Sequence, residues 1–367
     1  MGIEIRPYTE DWIPAVREFN KRMRPARGQF EFWQLETTPT PFPKGDGRRF
    51  SHERFLAIDG SHVRGGYALN WQEISLRGEI LPVAGFARPI TEGAVDRHFS
   101  LVGIELVRDA LRRSPLLFGL GIGGYDRPMA KILRAMGWSM RSVPFYFKVK
   151  NAARFLRNLR PLRKGRLASL AMDAAALSGV GQLAVWTSSA VLGLKYKLVP
   201  PPSVEPMEAF SDWSNEIWKA THRSYSIIAV RDQHVLNVLY PPENAQCIRL
   251  KVGERDRLLG WAVVSETSEL EGYFGSMRVG LIMDGLARPE DASQVLRAAT
   301  RALEERGVDL IVSNQSHPAW RAGLREAGFF RGPSDCLFAA SRALAEKLRS
   351  VDPHWAEIHV NRDSRPR

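Results

Sequence analysis

The chain has 367 residues, 44% hydrophobic and 25% charged, so it can bury a large core and its composition excludes a disordered protein. This length favours two domains of roughly 150–200 residues over a single core. The formal net charge of +12 suits partners that carry phosphate, acidic carbohydrate or lipid head groups. Cys247 and Cys336 lack metal-ligand spacing, so we expect buried thiols, no metal site and a cytoplasmic location.

Alternating hydrophobic residues and turn signals predict an antiparallel meander in the first half of the chain. The predicted strands cover residues 55–58, 63–75 and 81–90. A loop at 91–99, a helix at 100–113, a strand at 116–121, a helix at 128–136 and a strand at 142–149 follow. The second half repeats the order, with strands at 246–252, 258–266, 278–286, 309–313 and 336–340 and helices at 291–306 and 319–327. We therefore predict an α/β protein with mixed (α+β) sheets and helices on both sheet faces.

Two pairs of motifs match between the halves. Ile3-Glu4 followed by Asp11-Trp12 recurs 201 residues later as Val204-Glu205 followed by Asp212-Trp213. Leu133-Arg134-x-x-Gly137-Trp138 recurs 191 residues later as Leu324-Arg325-x-x-Gly328-Phe329. The second motif has the form of a helix that ends at glycine before a strand begins. Matched pairs in the same order indicate a duplicated domain.

A different kind of segment separates the halves. Residues 151–166 interleave arginine and lysine with phenylalanine and leucine, and residues 174–194 contain no charged residue. The uncharged stretch can form buried helices between domains, an element lying on a membrane surface or a membrane span, and its glycine and serine content favours the first. The predicted division is a domain at 1–150, a linker at 151–202, a domain at 203–345 and a tail at 346–367.

The order of elements resembles the GNAT superfamily of acyl-CoA N-acyltransferases. Residues 55–66 look like that family's second and third strands, and residues 127–138 and 318–329 look like its helix before the penultimate strand. The tail weakly resembles the ends of tandem GNAT proteins of bacterial polysaccharide biosynthesis. The resemblance implies two tandem acyl-CoA N-acyltransferase-like domains with a helical linker, and acetyl-CoA or another acyl-CoA as co-substrate.

In this family a basic, glycine-containing loop before the main helix holds the cofactor pyrophosphate with backbone amides, because a helix start offers unpaired N–H groups and a positive dipole end. The matching residues in the first half, counted together with Arg88, are Arg97, His98, Phe99, Ser100, Leu101, Val102 and Gly103. Ser100 and Val102 occupy the glycine positions, and we expect the branched Val102 to hinder a phosphate more than Ser100. The comparable start in the second half, Pro289-Glu290-Asp291, is acidic and predicts no ordinary acyl-CoA site.

Acyl transfer to an amine needs a base for the amine, donors for the oxyanion and a proton for the departing thiolate. Glu73 resembles the family's base position, and Tyr125 is the nearest substitute for its acid, although it occupies a different turn. His98 beside the phosphate loop and Asp284 within an apolar strand are the other catalytic candidates. Glu92 and Asp96 are further base candidates, and Asn314, Gln315 and His317 are candidates for acceptor recognition. Leu133 and Leu324 stand where family members often carry the acidic tyrosine.

The sequence favours an acyltransferase that moves an acyl group from acyl-CoA to an amine of a small molecule or saccharide, such as an amino sugar or polysaccharide precursor. A catalytically inactive tandem GNAT scaffold or regulator is the second interpretation. A third, nucleic-acid binding through residues 151–166, is weaker because no aromatic platform accompanies the cations. Residues 151–166 also suggest peripheral contact with a membrane. The sequence leaves the oligomeric state open.

Overall fold

The computed structural model describes residues 2–24, 50–158, 202–267 and 275–353, and the backbone of residues 358–359. The described chain is a mixed α/β protein, as predicted, and it divides into two compact units. The first unit comprises Met1–Ile74, Glu79–Ser142 and Asp335–His354, and the second comprises Ser75–Gly78, Val143–Ser334 and Trp355–Arg367. The predictions for residues 174–194 and for most of 151–166 fall outside the described residues.

The elements follow the predicted order closely. Those up to residue 158 are β1 Glu4–Pro7, α1 Ile13–Met23, β2 Ser51–Asp59, β3 His62–Leu76, β4 Glu79–Thr91, α2 Val102–Arg113, β5 Leu117–Leu120, α3 Pro128–Ala135, β6 Ser139–Ser142, β7 Phe145–Val149 and α4 Ala152–Asn158. From residue 203 they are β8 Ser203–Met207, α5 Asp212–Thr221, β9 Ile227–Ala229, α6 Gln233–Leu239, β10 Ile248–Glu254, β11 Arg257–Thr267, β12 Val279–Ala287, α7 Ala292–Glu305, β13 Leu310–Asn314, α8 Pro318–Glu326, β14 Phe330–Gly332, β15 Leu337–Ala340, α9 Arg342–Val351 and β16 Ile358–His359.

The two units contain sheets with the same strand order. One path runs β1-β2-β3-β4-β5-β15-β6, and the other runs β8-β10-β11-β12-β13-β7-β14 when read in the same direction. In each path the fourth and fifth strands, β4 with β5 and β12 with β13, are parallel. Since a parallel pair needs a crossover, α2 joins β4 to β5 and α7 joins β12 to β13.

The sixth strand of each sheet comes from the other half of the sequence. β7 pairs with β13 and β14 in the second unit, and β15 pairs with β5 and β6 in the first. The sequence predicts each strand in the sheet of its own half and predicts one strand over residues 142–149, and both predictions are wrong. Pro144, which has no backbone N–H to donate, lies between the end of β6 and the start of β7. The periodicity of a strand defines its faces and leaves its partner undetermined.

The matched leucine–glycine motifs form the same helix end. Gly137 and Gly328 have φ values of 81° and 84°. The amide of Trp138 donates to the Leu133 carbonyl at 3.0 Å, and the amide of Phe329 donates to the Leu324 carbonyl at 2.9 Å. A hydrogen bond from residue i+5 back to residue i, together with a glycine of left-handed conformation, is the Schellman motif. This motif satisfies carbonyl groups at the end of a helix.

Each unit has its own hydrophobic core. In the first, Tyr67, Phe86 and Leu106 belong to a buried cluster between the sheet and α2, and Ala339 of the exchanged β15 is part of it. In the second, the cluster includes Trp261 and Leu296. Both cysteines are buried free thiols, as predicted for small core residues.

Candidate functional site

The parallel strands β4 and β5 of the first unit pair over only two residues. β4 and β5 pair only at Ala84 with Leu117 and at Gly85 with Phe118. β4 then continues for six residues to Thr91, while β5 ends two residues later at Leu120. Ladder hydrogen bonds between the two strands therefore stop at the middle of β4. We call the unpaired region at the carboxyl ends of β4 and β5 the gap, because open α/β sheets bind ligands at this end of their strands.

The loop between β4 and α2 is tightly built beside this gap. A Cβ at Gly93 would lie 2.8 Å from the carbonyl oxygen of Phe99, so the close approach requires glycine. Asp96 accepts a hydrogen bond from the amide of His98 at 2.9 Å and caps a short 3₁₀ turn, Arg97–Phe99. The backbone before α2 is thus held in a defined conformation by local contacts.

The predicted cofactor residues divide into exposed and buried side chains. The side chains of Arg97, His98 and Ser100 are exposed, and that of Leu101 is 68% exposed. Phe99, Val102 and Gly103 are buried. Only the exposed side chains can contact a ligand in solution, while the buried residues can contribute backbone amides.

Val102 does not obstruct the start of the helix, contrary to the expectation from the sequence. A Cβ at Gly65 would lie 3.3 Å from its Cγ1, so its side chain faces β3 inside the unit. Leu101 is the bulky side chain that projects at the start of α2. A Cβ at Gly103 would lie 3.2 Å from Ile132 of α3, so glycine permits close packing of the two helices.

Arg88 lies on β4 with a φ of 48° and an exposed side chain. This is the left-handed region, which is uncommon for a residue with a side chain and marks a local irregularity of the strand. The position is three residues beyond the last paired residue, Gly85. Arg88 therefore lies on the stretch of β4 that borders the gap.

The base candidates of the first unit differ in availability. Glu92 is buried and accepts hydrogen bonds from Arg22 at 2.7 Å and Arg64 at 2.9 Å. Burial alone would raise the pKa of Glu92, but these hydrogen bonds and charges hold its pKa below the usual value. Glu92 is thus an ion-paired support for the loop. His98 is exposed beside the Phe99 ring, and Glu73 is half-buried on β3.

The predicted acid Tyr125 lies in the turn that precedes α3 and is 42% exposed. This turn follows β5 and so borders the other side of the gap. Leu133, at the usual tyrosine position, is fully buried in the core. Tyr125 is therefore accessible to solvent, whereas Leu133 is not.

Asp284 belongs to the second unit and is 1% exposed. It accepts hydrogen bonds from Arg231 at 2.6 Å, Tyr240 at 2.9 Å and the amide of Gly285 at 2.9 Å. A carboxylate at this depth requires such partners because its desolvation is costly. These contacts describe a structural ion pair, and Asp284 does not share a unit with the other catalytic candidates.

The corresponding gap in the second unit is filled by aromatic side chains. β12 and β13 pair from Val279 to Ile282, and β12 then continues to Ala287. A Cβ at Gly285 would lie 2.9 Å from the ring of Trp320, which is fully buried. Trp320 donates to the Tyr225 hydroxyl at 2.9 Å, and Tyr225 donates to the Ala287 carbonyl at 2.6 Å. Side chains of α8 and of the segment after α5 thus occupy the region where β12 leaves β13.

The helix start of the second unit has an anionic group of its own. Asp291, 6% exposed, lies directly before α7 and receives two hydrogen bonds from Arg257, at 2.8 and 3.0 Å. A carboxylate there complements the helix dipole and repels a pyrophosphate. His317 serves as the N-cap of α8 and accepts from the amide of Ala319 at 3.2 Å. Both side chains thus make local contacts beside a helix start.

Four residues that contact these positions are not predicted from the sequence, namely Trp320, Tyr225, Arg231 and Tyr240. Trp320 stands four residues before Leu324, and Met129 stands four residues before the matched Leu133. Comparing the two motifs position by position would have pointed to this difference in size. Tyr225, Arg231 and Tyr240 lie between the matched motifs and carry no comparable signal.

Metal sites and membrane-spanning helices are two further features that the described residues can be examined for. Among the described residues, no group of three His, Cys, Asp or Glu side chains is arranged to hold a metal ion. Within those same residues, no helix combines the length and the hydropathy needed to cross a membrane.

Comparisons with solved structures concern the fold. The Saccharomyces cerevisiae N-myristoyltransferase with bound myristoyl-CoA matches with a TM-score of 0.54 and 9% identity over 93% of this chain and 78% of its own. A probable N-acyltransferase from Enterococcus faecalis matches with a TM-score of 0.50 and 8% identity over 94% and 74%. A GCN5-related N-acetyltransferase from Anabaena variabilis has a TM-score of 0.45 and 12% identity; the match covers 78% of this chain and 62% of that one.

No protein-family model matches the sequence, and no curated protein matches it. At identities of 8–9% the similarity to the yeast and Enterococcus proteins establishes the fold alone. The strand order and these similarities together show that the chain has the fold of the yeast N-myristoyltransferase and of the probable N-acyltransferase from Enterococcus.

Proposed function

We propose that the first unit binds acyl-CoA in the gap between β4 and β5 and transfers the acyl group to an amine. The observation that carries this proposal is the separation of the strands beyond Gly85 and Phe118. The gap lies between two helix starts, and the start of α2 directs backbone N–H groups outward. Arg97, exposed beside that start, supplies a cation for the pyrophosphate. The solved structure of the yeast enzyme with myristoyl-CoA has this fold.

The residues of the first unit suit the steps of the transfer. The amine nitrogen attacks the thioester carbonyl, a C–N bond forms and the C–S bond breaks. Glu73 and His98 are the proposed bases for the amine proton, and Tyr125 is the proposed donor to the departing thiolate. Glu73 lies on β3, the neighbour of β4 in the sheet, while His98 precedes α2 and Tyr125 precedes α3. Backbone amides around the gap would stabilise the oxyanion.

We infer that the two units are diverged copies and that the second no longer binds acyl-CoA. The matched Schellman motifs and strand orders support the common origin. Trp320 beside Gly285 and the carboxylate of Asp291 before α7 support the loss of an acyl-CoA site. Asp284, held by Arg231 and Tyr240, then stabilises the unit and does not act in catalysis.

The proposed acceptor is an amine of a small molecule or saccharide, such as an amino sugar or polysaccharide precursor, and the net charge of +12 favours an acidic one. We place the protein in the cytoplasm, with peripheral membrane contact through residues 151–166 as a further proposal. The second candidate function is an inactive scaffold or regulator. Leu133 and Leu324, in place of the family's tyrosine, favour it.

Thermal unfolding with and without acetyl-CoA tests the proposal. Because a ligand that binds the folded state raises Tm, acetyl-CoA at about 100 times Kd should add about 2.7 kcal/mol to stability. Arg97→Glu should abolish the increase in Tm, while Arg108→Glu, about two turns from the start of α2, should keep it. If only longer acyl-CoAs stabilise the protein, the transferred acyl group is longer than acetyl. No stabilisation by any acyl-CoA, with no acyl transfer, would favour the scaffold.

A further inference from the structure

One face of α3 in the first unit is a row of cations. Arg127, Lys131 and Arg134 are exposed, and their spacing of four and three residues aligns them along one face of the helix. Leu133 lies on the buried side of the helix, and Ala130, one turn before Arg134, is buried at the border of the row. The row is therefore a fixed feature of the helix, because the buried face determines which side chains point outward.

This row ends at a concave region. A cavity of about 590 Å³ is lined by the end of α3, at Ala135, Met136 and Gly137, and by Arg342, Glu346 and Arg349 of α9. Arg349 donates to the Ser139 hydroxyl at 2.6 Å, which fixes its position at the cavity wall. Arg342 and Glu346 are 3.8 Å apart and both largely exposed, so solvent screens their interaction.

The other end of the row lies at the proposed acyl-donor gap. Arg127 packs against the turn after β5, since a Cβ at Gly123 would lie 2.8 Å from its Cγ. Nine residues separate Arg127 from Met136, which corresponds to about 14 Å along a helix. The cations thus extend from the edge of the gap to the cavity. We call Arg127, Lys131, Arg134, Arg342 and Arg349 the α3–α9 basic surface.

We propose that the α3–α9 basic surface binds an acidic saccharide chain that carries the acceptor amine. The inference rests on the proposed acyl transfer and specifies its acceptor. The five cations outnumber the nearby carboxylates of Asp126, Asp335 and Glu346, so the surface attracts anionic groups. Arginines donate to carboxylate or sulfate groups, and Glu346 accepts from hydroxyl groups.

Two other polyanions fit this surface less well. Reading single-stranded nucleic acid requires aromatic side chains for stacking, and none lines the cavity. Insertion into a lipid surface requires exposed apolar side chains among the cations. The exposed large apolar residues of the described chain are Ile80, Val95, Leu101 and Tyr125, and none belongs to α3 or α9.

The test uses a de-N-sulfated heparin hexasaccharide, which is acidic and has free amines, with glucosamine as an acceptor that lacks anionic groups. The double variant Arg134→Glu/Arg349→Glu should raise KM for the hexasaccharide at least about tenfold, because charge reversal removes the electrostatic attraction. KM for glucosamine and Kd for acetyl-CoA should not change. The matched control Arg17→Glu/Arg108→Glu makes the same charge change on exposed positions of α1 and α2.

Binding of the fully N-acetylated hexasaccharide at low salt tests whether the α3–α9 basic surface binds the saccharide. This measurement does not depend on acyl transfer. No binding, or equal weakening by both double variants, would overturn the proposal. Equally tight, surface-dependent binding of single-stranded DNA or anionic phospholipid vesicles would overturn its saccharide class. Failure of acetyl-CoA to bind would refute the proposed acyl transfer separately, since this binding measurement contains no acyl donor.

Discussion

The two units differ in the region just beyond the paired residues of their parallel strands. In the first, β4 and β5 separate after two paired residues, and the loop beside them presents Arg97 and the start of α2. In the second, Trp320 occupies the space beside Gly285, and Asp291 takes the anion position before the helix. Under the proposed duplication, the first unit keeps the ligand site, while in the second the aromatic side chains that fill the gap bury apolar surface.

The largest expected effect comes from emptying the filled gap. Trp320→Ala should destabilise the second unit by about 3–5 kcal/mol, because the indole is fully buried and Tyr225 would lose its donor. Urea unfolding followed by circular dichroism measures this. Trp320→Phe keeps an aromatic ring and should cost less. A loss below about 1 kcal/mol for the alanine variant would mean that Trp320 does not support the core.

The converse substitution should close the first gap. Met129 occupies the position of Trp320 relative to the matched leucine, and its Cε would be 3.9 Å from a Cβ at Gly103. Met129→Trp should weaken acetyl-CoA binding at least about 100-fold, equivalent to about 2.7 kcal/mol. Calorimetric titration provides the measurement, and Met140→Trp, on β6, is the control. Unchanged affinity in Met129→Trp would locate the acyl donor elsewhere.

The sequence predicted local features of both units well. Helix α7 and strand β13 have nearly the predicted bounds, because a long amphipathic pattern and a short apolar run between turns are strong local signals. The glycine that ends α3 was also predictable, since few other residues accept a φ of 81°.

The features that distinguish the two gaps depend on tertiary contacts. The exchange of β7 and β15 leaves no local signal, because an apolar strand fits either sheet. The inward direction of Val102 depends on Gly65, which is 37 residues away. The hydrogen-bond partners of Asp284 come from residues 231 and 240, on segments that no motif connects to it.

The loop of the first unit should respond to acid through Glu92. Since its pKa is lowered in the folded state, its contribution to stability is complete above the unfolded pKa and is lost as pH falls through the folded one. Glu92→Gln should therefore lose about 1–2 kcal/mol at pH 7, because Arg22 is partly exposed. Unfolding free energies measured from pH 7 to pH 3 should converge for the two proteins. A constant difference across this range would contradict the ion-pair role.

The smallest effect should be equal in the two units and so tests their common origin apart from function. Gly137→Ala and Gly328→Ala each force a side chain into a left-handed φ, at a cost of about 1 kcal/mol. At Gly137 an added Cβ has no atom within 4 Å, so the cost there is conformational. Urea unfolding should show similar losses, with acetyl-CoA affinity unchanged in both variants. Because the motif ends the helix after the gap in each unit, a large loss in one unit alone would mean that the two helix ends are not equivalent and that the match between the copies does not extend to α3 and α8.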